Sequence, residues 1–432
     1  MTHNRKREQR SWYIYDWANS AFASTVLTLF LGPYLTSIAK AAAEVDGRIY
    51  PLGIPVDPRS WWGYLVSASV VLQVFCLPLV GAIADRSTNK KGLLGLLAGI
   101  GAGATMALFF IEGTAWQWGG LLFLIANVAF GASIVVYNSF LPEIAEPEER
   151  DAVSSRGWGI GYLGGGLVLA LNLLLFTKAK DFGITEGMAV RISLCSAGVW
   201  WAIFTVVSLA GLRNRPFASQ DRAPSAPLQF IHTLVGMRHY PQTLTFLLAY
   251  LLYNDAVQAV IAMAAQFGND ELKIPMSTMT GVILMVQFVA FFGAFVFELI
   301  SRKTGTKAAI IISLFIWTGA VLSMYLVVRD TTGFVIAAAV VALVLGGTQA
   351  LSRGLFSQMI PKGREAEYFG VYEISDKGTS WMAPLVFALT LQFSGNYRVA
   401  ILSLLVFFIL GMAVLWRVDP GRAAAEAQNP LH

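Results

Sequence analysis

Residues 61–86 read Trp-Trp-Gly-Tyr-Leu-Val-Ser-Ala-Ser-Val-Val-Leu-Gln-Val-Phe-Cys-Leu-Pro-Leu-Val-Gly-Ala-Ile-Ala-Asp-Arg. From Trp61 to Ala84 there is no charged residue, and the run stops at the acid–base pair Asp85–Arg86. A hydrocarbon core of about 30 Å is crossed by about 20 apolar residues in helical conformation. An uncharged stretch of this length followed by charge predicts one transmembrane helix ending at a water interface.

Outward from it the pattern repeats. Apolar runs bounded by charge, Gly or Pro lie at 12–38, 61–84, 92–111, 115–141, 157–177, 190–212, 243–267, 278–300, 308–328, 332–356, 369–393 and 397–417. Twelve spans account for a chain of 432 residues that is 56% hydrophobic and 13% charged, where soluble proteins carry about a quarter charged residues. The polar stretch 213–242, with Arg213, Arg215, Asp221, Arg222, Pro224 and Pro227, divides the spans into two sets of six. The predicted organisation is a six-helix half over 1–212, a cytoplasmic linker over 213–242, a second half over 243–420 and a tail over 421–432. Two such halves are what a transporter built from parallel repeats shows. A faint repeat supports them: Tyr15-Asp16 is echoed by Tyr253-Asn254-Asp255, and Leu141-Pro142-Glu143 by Ile360-Pro361-Lys362.

Cytoplasmic loops concentrate Lys and Arg. With the N-terminus inside, 22 of the 31 Lys and Arg residues fall on inner segments, so both termini are expected in the cytoplasm. The basic N-terminus (Arg5, Lys6, Arg7, Arg10) precedes an apolar run longer than the roughly 7–15 residues of a signal-peptide core, and is read as leading into a retained first helix.

Several functions are disfavoured. The net charge of +5 comes from bases scattered between apolar spans, not from a soluble basic face, so nucleic acid is not an expected partner. Cys76 and Cys195 both lie inside apolar runs and build neither a disulfide framework nor a metal site. Gly159-x-Gly161-x-x-Gly164 matches a dinucleotide fingerprint but sits within an apolar helix with no preceding strand; with Gly157, Gly161 and Gly165 it reads as a surface for close helix packing. Asp376-Lys377-Gly378-Thr379 is only a fragment of an ATPase phosphorylation loop, and no phosphate-binding loop accompanies it. No cofactor or metal is expected. The rival classes are a membrane-embedded enzyme, which needs a nucleophile and base or a metal, and a non-transporting receptor or scaffold, which needs a soluble domain.

Charge within hydrocarbon costs about 3 kcal/mol or more, so an intramembrane acid is a functional candidate. Asp255 lies near mid-depth, about 20 Å from the outer surface at about 1.5 Å per residue. Tyr253, Asn254 and Gln258 surround it within one to two helical turns. The cluster reads either as a cavity lining or as a structural hydrogen-bond network. In the first span Asp16 and Asn19 share a polar stripe with Ser20, nearer the cytoplasmic edge, and serve either as a gate or as solute ligands. Trp12, Tyr13, Tyr15 and Trp17 beside them fit an aromatic belt at headgroup level. Glu373, Asp376 and Lys377 open the eleventh span; Glu373 and Lys377 are spaced for an ion pair, with Lys377 alternatively offering a cation to an anionic solute group. Arg353 is placed to bridge helices on the cytoplasmic side. No histidine lies in a span, so a coupling proton would ride on Asp255 or Asp16, and sodium coupling stays open.

Gly81-Ala82-Ile83-Ala84-Asp85-Arg86, with Lys90 and Lys91 after it, resembles the signature loop of the major facilitator superfamily, but with Thr88 and Asn89 in place of a Gly and an Arg. The resemblance implies that Asp85 and Arg86 grip the start of helix eleven and the end of helix four near Glu143. Tyr15-Asp16-Trp17-Ala18-Asn19-Ser20, Leu141-Pro142-Glu143-Ile144, the glycines from Gly159 to Gly166 with Asn172, Tyr253-Asn254-Asp255, and the blocks Gly347–Arg353 and Ile360–Glu367 resemble the vacuole-effluxer branch. That branch is similar to the fungal autophagy-associated vacuolar amino-acid exporter. It implies a twelve-helix all-α major facilitator fold and a secondary transporter working by alternating access. The expected partners are a small solute such as an amino acid, moved outward, a coupling proton or sodium ion, and membrane lipids. A monomer in a bacterial inner membrane is expected.

Overall fold

The computed structural model describes residues 2–215, 236–377 and 382–428. Its architecture is helical; among the described residues the β-structure is one antiparallel bridge between Ile49 and Val56 in the loop after the first helix. Ten helices match the first ten predicted spans: α1 (Asn4–Ala41), α2 (Pro58–Arg86), α3 (Lys90–Phe110), α4 (Trp116–Ile144), α5 (Pro147–Thr177), α6 (Glu186–Gly211), α7 (Pro241–Ala264), α8 (Thr278–Thr304), α9 (Thr306–Leu326) and α10 (Thr331–Gln358). The eleventh span is covered by α11 (Glu365–Lys377) and α12 (Met382–Ser394), on either side of residues outside the described set. The twelfth is α13 (Tyr397–Trp416), and α14 (Pro420–Gln428) follows it.

Two helices begin well before their apolar runs. α1 starts at Asn4 and α5 at Pro147, because the charged turns Arg5–Arg10 and Glu148–Asp151 are helical and project past the hydrocarbon, where hydropathy has no signal. Polar residues at the first turns also cap: Asn89 accepts from the N–H of Gly92 (3.0 Å) and so starts α3, which gives a local reason for the residue that replaces an Arg of the signature loop.

Buried apolar side chains form two clusters. One runs from Trp12 to Leu212 and includes only Ala366 from beyond the linker; the other runs from Met237 to Ala423. Large apolar side chains such as Phe75, Leu171, Val206, Phe292 and Trp416 point outward from both, as expected where lipid is the solvent. The clusters meet along α2 against α11 and along α5 against α8 and α10.

Close approach depends on small residues. A Cβ on Gly161 would lie 2.9 Å from the Ser20 hydroxyl, and one on Gly165 would lie 3.0 Å from the Ser20 carbonyl, so α5 packs backbone to backbone on α1. The fingerprint-like glycines are thus packing residues. Trp12, Tyr13 and Tyr15 are buried rather than ringing the headgroups: their helix is central, and its aromatic face packs inward on Tyr137 of α4.

Candidate functional site

The two clusters are tied at the end of the bundle that carries both termini. A cavity of about 500 Å³ opens there, lined by Lys90, Glu143 and Arg215 of the first part of the chain and by Lys362, Glu365 and Ala427 of the second. Beside it, the Asp85 carboxylate accepts from the N–H groups of Ala366 and Glu367, both at 2.8 Å. These are among the first N–H groups of α11, which lack partners within their own helix and sit at its positive dipole end. Gly81, one turn before Asp85, lets the helices touch, since a Cβ there would lie 2.6 Å from the Ala366 carbonyl oxygen.

The acid of the signature loop thus touches the start of helix eleven. The bases described on Glu143 are Lys90 (2.6 Å) and Arg215 (3.1 Å), while Arg86 closes the last turn of α2. Lys90 also lies 3.9 Å from Asp85, and Arg215 reaches Glu8 of α1 at 2.9 Å. Burial pulls the Arg364 guanidinium down, but its hydrogen bond to Glu367 (2.9 Å) and that carboxylate's charge more than offset this and hold it above its ordinary value.

Deeper lies Arg353 of α10, 3% exposed, reaching into the first cluster. Its Nη2 is 3.1 Å from the Asp16 carboxylate, and it donates to the Ser154 hydroxyl and carbonyl oxygen (both 2.9 Å) and to Asn138 (3.4 Å). The rings of Trp12, Trp158 and Tyr137 lie 4.7, 5.2 and 5.8 Å from its guanidinium carbon. Further bonds cross the same seam: Asn138 donates to Glu373 (3.0 Å), Ser154 to the Ala350 carbonyl (2.7 Å), Tyr162 to Gln349 (2.6 Å), and Thr306 to Asp151. Asp16, read from sequence as gate or ligand, here pairs with Arg353.

The α7 cluster faces the eleventh span. Asp376 Oδ1 accepts from Asn254 (2.6 Å) and Tyr250 (2.9 Å), and Tyr253 shares a hydrogen bond with Ser352 (2.6 Å). Asp255, 1% exposed, points elsewhere: its Oδ2 accepts from the Ala383 N–H (2.8 Å) of α12. Its Oδ1 has no partner among the described residues, nor has the Nδ2 of buried Asn19. Gln258 is half-buried. The side chain of Lys377 lies outside the described residues, so the expected Glu373–Lys377 pair does too.

Sequence reading missed Asn138, Ser154 and Trp158, which complete the Arg353 node. Asn138 at the end of an apolar run, and Ser154 with Trp158 four residues apart on α5, were the available signal. Among the described residues no three His, Cys, Asp or Glu side chains converge as a metal site would require.

The sequence pattern of the family described as "Vacuole effluxer Atg22 like" matches residues 4–428. The chain belongs to that family. An uncharacterized MFS-type transporter of Bacillus subtilis, YxiO, is 28% identical over 434 residues, covering 98% of both chains. Autophagy-related protein 22-1 of Penicillium rubens is 25% identical, covering 98% of this chain and 92% of the fungal one. Among solved structures, the Escherichia coli fucose:proton symporter FucP superposes with a TM-score of 0.70 at 11% sequence identity, covering 96% of this chain and 98% of the other. The fold is that of the major facilitator superfamily, with twelve spans in two halves. This member of the effluxer family is an integral membrane transporter, and neither the family nor the fold neighbours are enzymes.

Proposed function

We propose that the protein is a secondary active transporter that exports a small amino-acid-like solute by alternating access, rocking the halves 1–212 and 243–420 about the linker 213–242. Asp255 is the centre of the reading. It is a buried carboxylate whose Oδ1 has no partner among the described residues. An ionised oxygen in that setting is strongly destabilised unless a cation or a proton joins it. Asp255, with Asn19, Tyr253, Asn254 and Gln258, receives the solute ammonium or the coupling proton or sodium ion, while Lys377 receives the carboxylate.

The contacts of Gly81, Asp85, Glu143, Arg353, Glu373 and Asp376, with Arg86 at the signature loop, belong to a gate closed on the side of the termini. We take that side as the cytoplasm of a bacterial inner membrane and the working unit as a monomer in lipid. The resemblance to the vacuolar amino-acid exporter and the positive charge on the inner segments support this reading.

Uptake and counterflow of a labelled amino-acid panel in proteoliposomes, with pH or sodium gradients, test it. Saturable movement of one amino acid is expected, lost in Asp255→Asn. No movement of any amino acid would remove the substrate, and normal transport by Asp255→Asn with unchanged pH dependence would remove the role of Asp255.

A further inference from the structure

Every ligand of the Arg353 guanidinium described above belongs to the first half of the chain: the Asp16 carboxylate on α1, Asn138 on α4, the Ser154 hydroxyl and carbonyl on α5, and the faces of Trp12, Tyr137 and Trp158. The guanidinium alone comes from the second half. An acid, carbonyl acceptors and flanking π faces are the complement that recognises a planar or alkyl cation. We propose that this node is a receptor for a guanidinium or alkylammonium group of the transported solute, and that Arg353 occupies it as a tethered stand-in while the gate is closed.

The receptor is built to outlast the departure of Arg353. Trp12 is anchored by its indole N–H on the Tyr137 carbonyl oxygen (2.9 Å) and stacks on the Tyr137 ring at 4.4 Å. Gly157 forms the floor: a Cβ there would lie 2.6 Å from both the Asp16 carboxylate and the Trp12 ring, so only a glycine leaves the cation its place. The anchoring of Trp12 lies within the first half, while Ser154 and Asn138 also donate to Ala350 and Glu373 of the second half.

The inference rests on the alternating-access reading and extends it. When the halves part on this side, α10 withdraws Arg353, and Asp16 is left facing water beside the rings of Trp12, Tyr137 and Trp158. A solute carrying a guanidinium or amine enters that space, and a neutral or anionic one gains nothing there. Occupancy excludes Arg353 and so keeps the side of the termini open until the solute moves inward. Loading and gate closure thereby compete for one carboxylate.

The test uses the full chain. Arg353→Ala, which empties the receptor, is purified and titrated calorimetrically with ethylguanidinium and with its neutral analogue ethylurea. Saturable binding of ethylguanidinium alone is expected, weakened at least tenfold when Asp16→Asn or Trp158→Leu is added. Equal heats for both compounds, or binding indifferent to Asp16, would overturn the proposal.

A second measurement serves if Arg353→Ala does not fold. Thr306→Cys, at the closed seam, is placed in a chain whose Cys76 and Cys195 are replaced by Ala and is labelled with a maleimide. Ethylguanidinium is expected to speed labelling several-fold, and ethylurea to leave it unchanged; identical rates would overturn the proposal. Neither readout requires transport. A failed titration therefore leaves the amino-acid reading standing, and a failed transport assay leaves the receptor standing.

Discussion

At the residue scale, the site is governed by the partners that each buried charge collects. Asp85 satisfies two helix N–H groups and the field of Lys90 at once. An asparagine presents one acceptor oxygen and no charge, so Asp85→Asn leaves a buried donor unmet, at roughly 1–3 kcal/mol. The purified variant is expected to unfold several degrees below the parent in a thermal scan, and an unchanged midpoint would show that the contact contributes nothing. Asp16 was legible as a polar residue in an apolar helix. Its partner was not, because Arg353 lies 337 positions away and nothing in either local pattern names the other.

At the element scale, acids from two facing helices meet backbone N–H groups of the eleventh span. Asp85 at the end of α2 holds the start of α11, and Asp255 of α7 holds the Ala383 N–H of α12. Helix starts attract carboxylates because their N–H groups are unpaired and their dipoles are positive. The sequence showed the acids and the apolar spans, but not that Asp85 and Asp255 both bind backbone N–H groups of the eleventh span, since each pairing joins distant positions. That α5 carries a close-packing surface was legible from the spaced glycines, whereas its partner α1 was not. Gly161→Val forces side-chain atoms into the Ser20 contact, a strain of about 1–3 kcal/mol. Lower monodisperse yield and a lower unfolding midpoint are expected; parental values for both would mean that α1 and α5 have room to separate.

At the scale of the whole molecule, two apolar cores share a seam of polar bonds on the side of the termini. Asp151 of α5 touches Thr306 of α9 across it. A disulfide forms between two cysteines only where their Cβ atoms come within about 4.5 Å of each other, so one formed here requires the seam to be closed. In a chain lacking Cys76 and Cys195, Asp151→Cys with Thr306→Cys is expected to oxidise readily and to arrest transport until a reductant is added. Transport that persists with the disulfide formed would show that this seam need not open.

The sequence by itself determined the membrane class, the succession of apolar spans and the signature loop. These follow from composition and local periodicity: an apolar run of sufficient length has one stable fate in lipid, and the acid and glycine of the loop keep their spacing. Only the tertiary structure decided that Arg353 sits among rings of the opposite half, that Lys90 and Arg215 attend Glu143, that Trp12 and Tyr15 are core, and that one oxygen of Asp255 is bound and the other is not. Each is a pairing between distant positions. The energy that fixes it, desolvation of a charge against the partner that meets it, exists only once the helices have assembled.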